Sequence, residues 1–353
     1  LSLARRFKDL WFAHAFGRAV ERYRAERLGP GLGVERLGEP LKAERRRRVY
    51  LVETTNGPGV LKLHFRRPKH LRNALEAQRL FEAAEIPVPR VLFEDVSAET
   101  KAAYGLCCVV QEWIDGEAYD RRRLPSLPRV AALLARLHRR LGPRCGYLAR
   151  PAGADLWGDF LERRLDRALA QIAAAPLPGF TADAEGVRRW FLDWRGAAGQ
   201  GLGGFSPLHG DLQTGNVRFT PEERIYFIDL DNGYRALYGL EWIRVALTFA
   251  LSREEAKRIA ALADFWTGYR DRLSPVEAAY FAELPQAFAE DWRRSRDFYL
   301  AWGLLGRVAS SARRARKKGV HGRPTDVRAR AVEEASDRWR RLARALRETA
   351  PRS

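Results

Sequence analysis

The chain has three cysteines and no methionine among its 353 residues. Cys107, Cys108 and Cys145 form no CxxC pair and no Cys/His spacing, which excludes a disulfide framework and a structural zinc site and fits a reducing compartment. The adjacent pair sits in an apolar run and is expected to pack as small strand residues. No apolar stretch reaches the roughly 18 residues of a membrane span, and the N-terminus lacks the apolar core of a secretory signal, so a cytoplasmic protein is expected. Zinc-finger, RNP and heptad patterns are missing, which leaves a nucleic-acid module unsupported. Acidic residues are also in short supply, at 44 against 63 Lys and Arg, for a formal net charge of +19. Such a balance favours anionic partners: nucleotides, nucleic acid, phosphorylated sugars or an acidic membrane surface. The hydrophobic fraction, 46%, is ample for a buried core in a chain of this length.

Residues 3–28, "LARRFKDLWFAHAFGRAVERYRAERL", place Leu3, Phe7, Leu10, Trp11 and Phe16 near helical spacing among basic residues. Such a helix can lie on an anionic membrane surface, although packing on the following domain is the commoner fate of an apolar stripe. "GPGLG" at 29–33 has no preceding strand and no acidic ribose partner, so it is discounted as a dinucleotide loop. Strands are expected over 34–38, 48–55 and 59–65, with Asn56-Gly57 turning the last two into a hairpin. Residues 70–85 read as a helix stopped by "IPVP", 105–116 as a strand running into a turn, and 127–141 as an apolar helix. From about 155 to 200 the pattern is helical, Gly199–Gly204 is a loop, "IYFIDLD" holds a short strand, and 237–349 is helical with a break at "KKGVHGRPTD". Strands first and helices later give an α+β fold of two lobes.

Phosphoryl transfer needs positioning and charge compensation: a lysine on nucleotide phosphates, carboxylate and amide ligands for a metal, and a carboxylate to accept the acceptor hydroxyl's proton. These occur here in order. Alternation in "VLKLHF" puts Lys62 on one face with Val60 and His64. Glu76, on the next helix, is placed to hold Lys62 by an ion pair. Asp211 follows His209 by two residues, Asn216 follows Asp211 by five, and Asp229 ends "IYFID". Each has a bland alternative, an exposed lysine or an acidic turn, and only the joint order sets these aside.

The "HGDLQTGNV" wording, the following "IDLD", the "LLARLH" helix, the "QEWIDG" hinge and "IPVPRVL" resemble the aminoglycoside phosphotransferase and choline kinase-like branch of the protein-kinase fold, which includes the lipopolysaccharide core-sugar kinases. The resemblance runs from about Val34 to Leu247. It implies a bilobal protein-kinase-like fold with a small antiparallel-sheet N-lobe and a mostly helical C-lobe, divided as a basic helix (1–30), an N-lobe (31–112) and a C-lobe (113–353). It implies ATP and Mg²⁺ as cofactors. By the resemblance Asp211 is the catalytic base, Asn216 and Asp229 are Mg²⁺ ligands, Lys62 binds the α- and β-phosphates, and Glu76 is its partner. Gln111, Glu112 and Trp113 would present backbone groups to adenine, and His209 would orient the catalytic loop. Asp231 either assists the metal or binds a backbone amide, and Glu241 stands in as a helix-anchoring carboxylate. Where the family has a small or glycine-bearing loop over the phosphates, this chain has "GEPLKAERRRR"; Lys42 and Arg45–Arg48 either replace backbone amides there or form a solvated turn.

A helix begins near Leu240, soon after Asp229, leaving little room to dock a peptide, so the acceptor is expected to be a small or glycan hydroxyl. Cationic acceptors want acidic pockets, whereas "SSARRARKKGVHGRPTDVRAR" at 310–330 is rich in Arg and Lys, which suit phosphate and carboxylate. An anionic lipopolysaccharide core sugar, Kdo or heptose, fits this charge, as does peripheral contact with the inner-membrane surface. Two rivals remain: an aminoglycoside- or choline-type phosphotransferase, and a dead kinase-fold scaffold for anionic partners. Trp266, Tyr269 and Arg270 on one expected helix are placed either to bind a sugar or to pack in the core.

Overall fold

A computed structural model describes residues 16–44, 47–65, 68–149, 156–175, 177–251, 255, 265–266, 268, 270–320 and 325–349. The chain divides into two units, one running up to Ala118 and including Asn216–Gly233, the other made of Tyr119–Gly215 and the chain from Tyr234 onward.

Unit 1 is built on a five-stranded antiparallel sheet of order β1-β2-β3-β5-β4, formed by β1 (Lys42–Glu44), β2 (Arg47–Thr54), β3 (Gly57–Phe65), β4 (Val91–Asp95) and β5 (Leu106–Glu112). Alternation assigns the two faces. Leu61, Leu63, Tyr50, Val52, Cys108 and Val110 lie on one, packed with Phe16, Val20, Tyr23 and Leu28 of the N-terminal helical segment. Phe16 meets Phe65 edge-on at 5.3 Å. The described part of the N-terminal helix is therefore a core element; Leu3, Phe7, Leu10 and Trp11 lie outside the described residues. The opposite face carries Lys62 and His64, together with Cys107 and Val109 under Leu71 and Leu75 of the helix Pro68–Ala83.

Two details differ from expectation. Residues 34–38 form no strand: Gly33, at φ 68°, caps the preceding turn, and Val34 donates its N–H back to Leu28 O. The hairpin closes on the pair Thr54–Gly57, so Thr55-Asn56 is its loop, with Asn56 N–H bonded to Thr54 Oγ1.

A second sheet in unit 1 joins β6 (Glu117–Ala118), β9 (Val217–Phe219) and β10 (Ile225–Phe227). The β9–β10 hairpin pairs Val217 with Phe227, and Ile228 N–H donates to Asn216 O at 3.0 Å. Asn216 is thereby held at the strand end from which Asp229 emerges. Unit 2 contains a three-stranded sheet, β7 (Gly146–Tyr147), β11 (Tyr234–Ala236) and β8 (Ser206–Leu208), and is otherwise helical. The helices Gln286–Val320 and Thr325–Glu348 pack on each other, and Tyr238, Trp242, Tyr280, Trp292 and Tyr299 form an aromatic core with Trp242 stacked on Tyr280 at 4.0 Å. Trp266 meets Trp292 edge-on and donates its Nε1–H to Asp297 at 2.8 Å; Tyr269 lies outside the described residues. All three cysteines are buried, and burial pushes the Cys108 thiol up to about 12. No described helix is long and apolar enough to cross a membrane.

The helix Gly239–Val245 starts against the ring of Tyr299, and a Cβ on Gly239 would sit 2.4 Å from that ring. Tyr299 is fully buried and cannot retreat. Gly239→Ala is therefore expected to cost about 1–3 kcal/mol, read as a lowered denaturation midpoint in urea.

Candidate functional site

In unit 1 the buried face of β3 presents Lys62 to two aspartates. Its Nζ lies 3.2 Å from Asp229 Oδ1 and 3.0 Å from Asp231 Oδ1. Arg47, from β2, places a guanidinium nitrogen 3.1 Å from Asp229 Oδ1 and 3.1 Å from Asp231 Oδ2. Burial alone would push Lys62 and Arg47 down, but the two carboxylates hold both pKa values above their ordinary range. The helix Pro68–Ala83 pins the chain behind these aspartates: Asn73 Nδ2 donates to Asp231 O at 3.2 Å and to Gly233 O at 2.7 Å. Asp229 itself has φ 61° and ψ 54°, a left-handed conformation that a non-glycine residue adopts at a cost, and one common at functional positions.

The expected Lys62–Glu76 pair is not formed. Helical phase puts Asn73 and Ala77 on the inner face and leaves Glu76 half-exposed, where it bonds Arg79 at 3.2 Å. Asp231, left open between two roles, uses its carboxylate for Lys62 and Arg47 and not for a backbone amide. At the β5 end, Glu112 N–H donates to Arg90 O and Trp113 N–H to Pro58 O, so these two donors, expected to face adenine, are taken up within unit 1. The Gln111 side chain is buried and bonds Gln78 at 2.8 Å. Of the "KAERRRR" cations, Lys42 pairs with Glu44 in solvent and Arg48 lies over Phe16, while Arg45 and Arg46 lie outside the described residues.

The donor set of Asn216, Asp229 and Asp231 suits a small hard divalent cation, which takes oxygen ligands. Asp231 Oδ2 supports the fit: it is buried and accepts no well-formed hydrogen bond, although the Arg47 charge lies 3.1 Å away. Among the described residues no cluster of three His, Cys, Asp or Glu side chains could hold a metal, so a cation here would need oxygens from a second ligand such as a phosphate.

In unit 2, the loop after β8 is shaped by Glu241. This buried carboxylate accepts the N–H groups of His209 and Gly210, both at 2.8 Å, and lies 3.3 Å from His138 Nε2. Glu241 thus anchors the loop rather than only its own helix. Burial pushes its pKa up, yet these partners bring it below the usual carboxylate value, while burial pushes His138 down against the opposing pull of Glu241. Gly210 sits at φ 81°, where a side chain would strain the turn. Asp211 N–H then donates to His209 Nδ1 at 3.3 Å, so fully buried His209 positions Asp211.

Asp211 lines a cavity of about 490 Å³ within unit 2. Six arginines line it as well, Arg164, Arg244, Arg307, Arg313, Arg314 and Arg338, and Asp211 is the only carboxylate among the lining residues. Arg164 lies 3.9 Å over the Tyr234 ring, and Arg244 donates to Gly210 O at 3.2 Å. Burial, with Arg338 and Arg314 nearby, pushes Arg307 down to about 10. Such mutual repulsion is offset by an anion.

The sequence profile of the phosphotransferase enzyme family matches residues 38–298. No curated protein sequence gives a match. Among solved structures, a thermostable mutant of aminoglycoside phosphotransferase APH(4)-Ia, in ternary complex with AMP-PNP and hygromycin B, aligns over 94% of this chain and 100% of its own, with TM-score 0.60 and 15% identity. Choline kinase LicA from Streptococcus pneumoniae aligns over 94% and 99%, with TM-score 0.54 and 15% identity. The likeness is one of fold, the α+β kinase-like fold expected from the sequence.

Two measurements test this geometry. Glu241→Gln replaces an acceptor by a donor facing two N–H groups and is expected to cost about 2–4 kcal/mol in urea unfolding. His64 is buried, its Nε2 has no hydrogen-bond partner, and burial pushes its pKa down from 6.5 to about 4. Between those values the unfolded chain binds more protons than the native one, so stability rises with pH across that window and is diminished below it. The full loss is about 3 kcal/mol, and His64→Gln should flatten this part of a stability–pH curve.

Proposed function

The chain belongs to the phosphotransferase enzyme family, and from that premise we propose that it transfers the γ-phosphate of ATP to a hydroxyl of a lipopolysaccharide core sugar, Kdo or heptose. The observation that carries the acceptor class is the arginine-lined cavity beside Asp211. Arginine matches carboxylate and phosphate with a planar fork of donors, and a site that holds six of them is suited to a sugar bearing acidic groups. A cationic aminoglycoside or choline would meet six arginines and a single lining carboxylate, Asp211.

In this reading Asp211 accepts the proton of the attacking hydroxyl, held in place by His209 and Glu241. Lys62 binds nucleotide phosphates and neutralises charge there. Mg²⁺ would be held by Asn216 and Asp229, with Asp231 assisting, and would supply charge compensation on the phosphate oxygens. Tyr234 and Trp302 give the cavity apolar surface against which a sugar ring can lie. An acceptor of this kind is carried on a lipid, and the net charge of +19 favours approach to an anionic membrane surface.

The test is Mg²⁺-dependent transfer from γ-labelled ATP to deacylated lipopolysaccharide core, with a panel of aminoglycosides alongside. Label should enter the core and not the antibiotics, and Asp211→Ala should lower kcat by about 10²–10⁴-fold. Arg307→Gln and Arg338→Gln should each raise the acceptor KM about tenfold at little cost in kcat, the loss of one charge-assisted contact. Transfer to the aminoglycosides in place of the core would overturn the acceptor assignment, and no transfer to any acceptor, with no ATP bound, would leave a scaffold.

A further inference from the structure

The sequence groups Arg47 with its neighbouring cations, which either replace backbone amides over the phosphates or form a solvated turn, and gives it no individual role. Across the β2–β3 ladder Arg47 pairs with His64 and Val49 with Lys62, so Arg47 and Lys62 project from one face of the sheet. Both are nearly buried, with side chains 15% and 8% exposed. Together with Asp229 and Asp231 they close a ring of two cations and two anions in which Asp229 Oδ1 accepts from both cations. The ring is electrically balanced as it stands. A divalent cation entering alone would meet two fixed positive charges beside carboxylates that are already matched, and a nucleotide entering alone would meet two carboxylates beside the cations it needs.

We propose that Arg47 is a second phosphate-binding cation of the nucleotide site, which leaves Asp229 and Asp231 for the phosphates when nucleotide binds and thereby opens both carboxylates to the metal. The inference rests on the reading of Lys62, Asp229 and Asp231 as the nucleotide and metal site. It supplies what the "GEPLKAERRRR" segment lacks. A glycine-bearing loop would offer backbone N–H groups to the phosphates; here a planar guanidinium, anchored on a rigid strand, offers a bidentate fork. Among the described cations of that segment, Arg47 alone reaches the carboxylates. Metal and nucleotide then bind cooperatively, because each relieves the charge that the other leaves uncompensated.

The test uses the full chain, with Mn²⁺ binding in the absence of nucleotide followed by electron paramagnetic resonance, and ADP binding in the presence of Mg²⁺ followed by calorimetry. Arg47→Gln should bind free Mn²⁺ about tenfold more tightly and ADP with Mg²⁺ about tenfold more weakly, one charge-assisted contact in each direction. Arg47→Lys, which keeps the charge without the fork, should keep weak Mn²⁺ binding and lose part of the ADP affinity; it also covers the case in which the glutamine variant does not fold, checked by thermal melting. Wild-type and Arg47→Gln proteins that bind ADP equally well would overturn the proposal while leaving the kinase reading intact. A wild-type protein that binds no ADP would overturn both.

Discussion

A carboxylate can be buried at Glu241 only because three groups meet it there, and the loop that carries Asp211 takes its shape from that requirement. Two of the three are backbone N–H groups of consecutive residues, His209 and Gly210, which a straight strand would point in opposite directions. The chain must turn, and the turn falls on a glycine with positive φ. The third is His138, whose other ring nitrogen pairs with the Tyr280 hydroxyl and whose carbonyl accepts from Ser206 in β8. One charge thus ties together a strand, three helices and the loop. It does so in a place where an unpaired carboxylate would be strongly destabilising.

Unit 1 meets the same difficulty by another route. Asp229 and Asp231 are compensated by side-chain cations, not by backbone donors. Backbone donors make a permanent anchor, suited to a loop that must hold its geometry. Side-chain cations can be exchanged for a ligand, suited to a site that must bind and release. The two buried acidic sites differ in their partners as their proposed roles differ.

Much of this was readable in advance wherever the signal was local. Alternation in "VLKLHF" separated Lys62 and His64 from Leu61 and Leu63, and the structure places them on opposite faces. The helix after β3 was found from its apolar stripe, but its phase was not: Asn73, not Glu76, reaches the chain near Asp231. The strand expected at 34–38 failed because Val34 is buried as the end of a capped turn, an apolar residue that periodicity cannot tell from a strand residue. Arg47 looked like one of several cations in a charged run; its partner Asp229 lies 182 residues away, and no local pattern marks such a pair. Arg307 and Arg338 come from different helices for the same reason, although the basic character of that region was plain.

The placement of sulfur has a consequence of its own. With no methionine and all three thiols buried, the native chain offers thiol reagents no exposed sulfur. Cys107 and Cys108 lie side by side in β5, the strand hydrogen-bonded to both β3 and β4, and become reactive only when that sheet opens. The rate at which a thiol reagent modifies Cys107 and Cys108, followed apart from Cys145, is therefore a built-in clock for the opening of the sheet that carries Lys62.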